Sequence, residues 1–140
     1  MSINVFTYGS LMHPEVMRAV TGRIFACETA TLDDHRRLGL KDCLYPGLVA
    51  CPGHRAEGVL WRDVDELALA TLDRFEDDFY ERRVVRVQSE SGVADAHAWV
   101  VRDDDRWRLN TTDWDYPMFC SRDLAGYLRE CRSFRRTLAE

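Results

Sequence analysis

The sequence predicts an α+β fold, a small and mainly antiparallel β-barrel-like sheet with flanking helices. Three observations carry this expectation. Extended segments dominate the chain, helical segments interrupt them without the regular βα alternation of a parallel sheet, and Ser91-Gly92 marks a hairpin between two alternating runs. Ile3 to Tyr8 is β-rich with apolar alternation and reads as the first strand; Gly9-Ser10 breaks it. Pro14 suits a first helical turn, Val16, Met17 and Val20 follow at helical spacing, and Gly22 is a stop signal. Arg23 to Leu40 is extended, Tyr45-Pro46-Gly47 reads as a turn, and Ala56 to Asp63 as a strand. Asp65 to about Asp78 reads as the middle helix. Val84 to Gln88 and Ala94 to Val101 alternate as strands, and Trp107 to Thr111 suggests a short one. Ser121 resembles an N-cap, and Leu124, Leu128, Cys131 and Phe134 give a closing amphipathic helix.

The 140 residues suit one domain spanning 1–140, and 46% hydrophobic with 31% charged residues is an ordinary globular balance. No stretch approaches the roughly 20 apolar residues of a membrane helix. Met1 to Tyr8 has neither the basic flank nor the apolar run of a signal peptide, so a cytoplasmic location is expected. Lys and Arg total 19 against 24 Asp and Glu, a net charge of −5, which does not furnish the positive surface that nucleic acid requires. Arg129, Arg132, Arg135 and Arg136 read as a solvated helix face. The five cysteines include no C-x-x-C pair and are expected to be reduced thiols. Cys51 and His54 have metal-like spacing without a partner pair, so no metal is expected.

Two places break the local rules. On a helical wheel Ala68, Leu69, Leu72, Phe75 and Phe79 share an arc, and Glu76 falls inside it while Asp73, Arg74, Asp77 and Asp78 fall outside. A carboxylate on an apolar face is costly unless paired, and desolvation raises its pKa toward the range useful in proton transfer. Equally, Glu76 could sit at the helix rim against Arg82, Arg83 or a free N–H. The second place is Tyr8-Gly9-Ser10-Leu11. A glycine between strand and helix lets the backbone approach a ligand, and unpaired N–H groups there favour an anion or oxyanion; a plain turn is the alternative. The segment matches neither a P-loop nor a dinucleotide fingerprint, and Ser10 does not lie in a G-x-S-x-G elbow.

Tyr8-Gly9-Ser10-Leu11-Met12, Val20-Thr21-Gly22, Tyr45-Pro46-Gly47-Leu48, Glu57-Gly58-Val59-Leu60, Leu72-Asp73-Arg74-Phe75-Glu76 and Tyr80-Glu81-Arg82 follow one another in that order. Over residues 3 to 120 the chain resembles the γ-glutamylcyclotransferase-like superfamily, in the branch of the plant avirulence-induced proteins and γ-glutamylamine cyclotransferase. The resemblance implies a barrel-like fold with a cavity, a substrate loop at Tyr8, Gly9, Ser10, Leu11 and Met12, and Glu76 as acid/base. Tyr80 and Arg82 would support the helix exit or the cavity edge, and Asp73 would be structural. The implied reaction is cofactor-free: a γ-glutamyl amine or related amide cyclises to 5-oxoproline and frees an amine. Loop N–H groups would hold the α-carboxylate or the oxyanion. A non-catalytic module holding a small ligand in the same cavity is the alternative. The chain departs from the family in one respect: Asp77, followed by Asp78, stands where glycine is common after the F-E pair.

Overall fold

The computed structural model describes residues 3–138; of the segment Met1 to Tyr8, residues 1 and 2 lie outside the described residues. Six strands are present: β1 (Ile3–Thr7), β2 (Cys27–Leu40), β3 (Pro46–Val64), β4 (Tyr80–Ser89), β5 (Gly92–Val101) and β6 (Leu109–Asp113). The order is β3-β1-β5-β4-β2-β6, and β2 also pairs with β3, so five strands close into a barrel with β6 attached to β2. Only β1 with β5 is parallel; the other pairings are antiparallel. The expected α+β barrel with flanking helices is thus what the chain forms.

Side-chain alternation separates two cores. Phe6, Ala30, Leu48, Ala56, Leu60, Ala96, Ala98 and Val100 pack together, while Val5, Trp61, Trp99 and Val101, their neighbours along the strands, pack with the helices. The alanines keep the first core narrow. Closure also demands glycine at position 58 of β3, because a Cβ there would lie 2.3 Å from the Thr7 carbonyl oxygen and 2.6 Å from the Phe6 ring. The long β2–β3 hairpin, with a register shift between Asp33 and His35, supplies much of the wall.

Helix α1 (Pro14–Thr21) starts with Pro14 and stops at Gly22 in the left-handed conformation, φ 73°. Helix α2 (Glu66–Phe75) is shorter than expected. Asp65 is its N-cap, accepting from the Ala68 N–H at 2.7 Å, and Glu76 leaves the helix with extended backbone, φ −73°, ψ 144°. Asp77 and Asp78 follow directly at the helix C-terminus and oppose its dipole, a physical reason for the early stop.

Other boundaries differ from expectation. Trp107 lies in a 3-10 segment (Asp103–Arg108) and is 62% exposed, so the last strand begins at Leu109. The strand expected from Val84 starts at Tyr80, and Pro46 and Gly47 open β3 instead of forming a turn. Ser121 is not an N-cap. Helix α3 (Tyr116–Met118), a π-helical turn (Phe119–Asp123) and α4 (Leu124–Leu138) run on together, capped by Asp115 accepting from the Met118 N–H at 2.9 Å. Among the described residues no helix is long and apolar enough to cross a membrane.

The Gly58 contact gives a test of barrel closure. Gly58→Ala should destabilise the protein by about 1–3 kcal/mol, the usual range for overpacking a filled core. Urea denaturation measures it, and an unchanged midpoint would contradict the tight passage of β3 past β1.

Candidate functional site

A cleft of about 200 Å³ opens where β1 ends, bounded by Tyr8 to Leu11, by Tyr45 and Pro46 before and at the start of β3, by Phe75 to Asp77 at the end of α2 and just beyond it, and by α4. The turn at Gly9 is pressed against β3: a Cβ on Gly9 would meet Pro46 Cδ at 2.7 Å and Cγ at 2.9 Å. Any larger residue would force the loop and the Pro46 ring apart. The Met12 N–H bonds back to the Gly9 carbonyl at 3.0 Å and that of His13 to the Ser10 carbonyl at 3.2 Å. Among the described residues, the N–H groups of Gly9, Ser10 and Leu11 have no backbone partner outside regular helices and strands, as the start of so short a helical turn requires.

Glu76 lines this cleft. Its N–H still bonds to the Leu72 carbonyl at 3.0 Å, which keeps it one turn beyond Leu72 although the helix has ended. Solvent reaches the side chain through the opening, so the residue is half-buried, while protein crowds its carboxyl group closely enough for burial to dominate its titration. Burial first, and then the nearby charges of Asp77 and Asp73, push its pKa up to about 8. Neither arginine proposed as a rim partner takes it. Arg82 Nη2 is 3.5 Å from Asp73 Oδ2, and Arg83 pairs with Glu81. Asp73 also accepts from Trp99 Nε1 at 3.1 Å.

The surrounding hydroxyls are engaged elsewhere. Tyr8 OH donates to the Trp99 carbonyl at 2.7 Å, Tyr80 OH to the Pro46 carbonyl at 2.5 Å, and Tyr45 OH to Asp77 Oδ2 at 2.5 Å. Ser10 Oγ donates to Tyr127 OH at 3.0 Å. Burial raises the pKa of all four tyrosines, so each remains a neutral phenol. Cys131 also borders the cleft, and burial pushes its thiol up to about 12, which leaves no thiolate near neutral pH. Among the described residues no histidine lines the cleft to activate Ser10. Among the described residues no three His, Cys, Asp or Glu side chains converge as a metal site.

Of the residues singled out from sequence, Tyr8, Gly9, Ser10, Leu11, Glu76 and Tyr80 meet in the cleft. Met12 does not; it lines a separate hollow with Arg37 and Glu57. Arg82 borders an outer groove on the far side of Glu76. Several lining residues were not singled out from sequence as part of the site. Tyr127, Glu130 and Cys131 share one face of α4, and Tyr127 is held by Phe75 and Phe119 in edge contacts with centroids 6.4 and 5.4 Å away. Arg37 was also missed. Its Nη1 donates to the Tyr8 carbonyl at 3.0 Å and the Glu57 carbonyl at 3.3 Å, tying the loop to β2 and β3.

Residues 5–116 match the family described as Gamma-glutamyl cyclotransferase, AIG2-like. AIG2-like protein D of Arabidopsis thaliana is 31% identical over 140 residues, covering 96% of this chain and 90% of that protein. An Arabidopsis thaliana protein solved in solution superposes with a TM-score of 0.72 at 26% identity, covering 99% of this chain and 82% of the other. A solved gamma-glutamyl cyclotransferase shares the fold at 17% identity, with a TM-score of 0.64 and coverage of 95% and 88%.

The raised pKa of Glu76 has a consequence for stability. Between pH 4.5 and about 8 the folded protein retains a proton that the unfolded chain has released, so stability falls as pH rises through that window. Glu76→Gln removes the titrating group. Relative to wild type it should gain stability from pH 5 to pH 8 by an amount on the order of a few kcal/mol, after discounting for solvent entering the cleft. Parallel urea melts at the two pH values measure the gap, and a gap that does not grow would contradict the shift.

Proposed function

The chain belongs to the Gamma-glutamyl cyclotransferase, AIG2-like family, and from that premise we propose that it is a cofactor-free cyclotransferase acting on a γ-glutamyl amine or related γ-glutamyl amide. The observation that carries the reading is Glu76: a carboxyl without a cationic partner among the described residues, with a pKa near 8, facing a cleft that also contains the Tyr8–Leu11 turn.

The reaction requires little machinery because nucleophile and electrophile belong to one molecule. The α-nitrogen attacks the γ-carbonyl carbon, a C–N bond closes the five-membered lactam, and the original amide C–N bond breaks. Holding the folded conformer supplies a large part of the acceleration. Ionised Glu76 accepts a proton from the α-ammonium and delivers it to the leaving nitrogen. A second proton follows the same route as the lactam nitrogen loses its charge. Two protons thus pass between the nitrogens, the products are 5-oxoproline and an alkylammonium, and Glu76 ends as it began. A pKa near neutrality suits both halves of this exchange. Backbone N–H groups of Gly9, Ser10 and Leu11 are available to an α-carboxylate or to the tetrahedral oxyanion. Tyr80 supports the wall through its bond to Pro46.

Purified protein incubated with a panel of γ-glutamyl amines should release 5-oxoproline, and Glu76→Gln should lose at least about 100-fold in kcat/KM. A variant retaining most of the activity would refute the acid/base role. Binding detected as thermal stabilisation without product would favour a ligand-holding module instead. Because the free carboxyl is protonated below about 8, the wild-type kcat/KM should rise with pH toward that value and fall once the substrate ammonium deprotonates. A pH-independent profile from pH 6 to 8 would oppose the assignment.

A further inference from the structure

Arg37 acts on the cleft without entering it. It does not line the cavity that holds Glu76; it lines the separate hollow shared by Met12, Glu57 and Tyr116. A half-buried guanidinium usually meets a carboxylate, yet among the described residues Glu57, Asp113 and Asp115 reach this one only as charges at longer range. Its Nη1 is spent on the main chain instead, donating to the Tyr8 carbonyl at 3.0 Å and the Glu57 carbonyl at 3.3 Å, with Met12 Sδ at 3.8 Å. The guanidinium is held there from above by the Trp114 ring, 5.5 Å from its centroid, and Trp114 is itself fixed by donating from Nε1 to the Leu44 carbonyl at 2.8 Å.

The Tyr8 carbonyl belongs to the same rigid unit as the Gly9 N–H. In a planar trans peptide the two point in opposite directions, so a carbonyl held toward Arg37 turns the Gly9 N–H away from it. Gly9 lines the cleft and Arg37 does not. Two further contacts keep this peptide from rotating. Gly9 is seated on the Pro46 ring, where a Cβ would lie 2.7 Å from Cδ, and Tyr8 OH donates to the Trp99 carbonyl at 2.7 Å. The bond from Arg37 also has an electronic effect. A cationic donor on the carbonyl oxygen draws charge toward that oxygen and makes the N–H of the same peptide a stronger donor.

We infer that Arg37 is a positioning residue for the reaction: by holding the Tyr8 carbonyl it aims and polarises the Gly9 N–H as a donor to a negatively charged oxygen of the substrate. The inference rests on the cyclotransferase reading and divides the site in two. Glu76 moves protons, and the peptide between Tyr8 and Gly9, set by a cation that never touches the substrate, answers negative charge. The positive charge stays outside the cleft, so it strengthens the donor without pairing with Glu76 and depressing the pKa that proton transfer needs.

Arg37→Met keeps the aliphatic stem and removes the donor, whereas Arg37→Lys keeps a charged donor; Arg37→Gln replaces the methionine variant if that one does not fold. With a γ-glutamyl amide that the wild type converts to 5-oxoproline, Arg37→Met should lose on the order of 10- to 100-fold in kcat/KM, and Arg37→Lys should recover part of it. The pH midpoint of activity should stay where Glu76 sets it, because Arg37 is not among the groups acting on that carboxyl. NMR supplies a readout that needs no turnover: the Tyr8 carbonyl carbon and the Gly9 amide nitrogen should shift in Arg37→Met, and less in Arg37→Lys. Unchanged kcat/KM in the folded methionine variant, or lost activity with both resonances unmoved, overturns the inference and leaves the cyclotransferase reading in place. An equal loss in the methionine and lysine variants assigns the effect to guanidinium stacking on Trp114 and also overturns it. If the wild type releases 5-oxoproline from no γ-glutamyl amide, both are overturned.

Discussion

A carboxyl group held beside an open cleft with no cation to answer it is the constraint around which this site is built. Such a group is normally neutralised by an arginine, and Arg82 and Arg83, the two that follow it in the chain, lie within a few residues of Glu76. The structure diverts both, one to Asp73 and one to Glu81. The phenols and the serine hydroxyl around the cleft are bonded to carbonyls, to Asp77 or to one another. Glu76 is therefore left with burial and two neighbouring acids, all of which favour its protonated form. Ionising it costs folding stability, and that cost is consistent with a group retained for proton transfer.

The barrel makes this arrangement possible by fixing three segments against one another. Gly58 lets β3 pass close to the end of β1, and Gly9 lets the following turn sit on Pro46. Arg37 holds the Tyr8 carbonyl from β2. The Tyr8–Leu11 turn is thus secured from two sides, by the Pro46 ring and by a half-buried guanidinium, in addition to its own hydrogen bonds. Helix α2 then ends where its last backbone bond, from Glu76 to Leu72, leaves Glu76 at the cleft that the turn also lines. Asp77, at the helix exit, accepts from Tyr45 and raises the negative charge at the entrance.

Local features of the fold could be read from sequence because they depend on local chemistry. The first strand, the Pro14-to-Gly22 helix and the hairpin at Ser91-Gly92 each follow from residues within a few positions, and the structure contains all three. Glu76 stood out because it interrupts an apolar stripe, and that reading survived an error in the helix boundary: one residual helical bond preserves its angular position. The misread elements needed information from elsewhere in the chain. Asp115, not Ser121, caps the closing run, because a π-helical turn joins what pattern alone reads as separate pieces. The wall formed by α4 was invisible for the same reason. Ser10 and Tyr127 are bonded across 117 positions, and nothing near Tyr127 indicates that its side of the helix faces a cleft.

The ionisation state of the Glu76 side chain can be observed without any substrate. Carbon-13 NMR of protein labelled at the glutamate side-chain carboxyl carbons, with the Glu76 resonance assigned by its loss in Glu76→Gln, follows the titration directly. A midpoint near 8 is the expected result. A midpoint between 4 and 5, the range of an ordinary solvated glutamate, would mean that the carboxyl is solvated or paired in solution, and would contradict its role as the buried acid/base of the cleft.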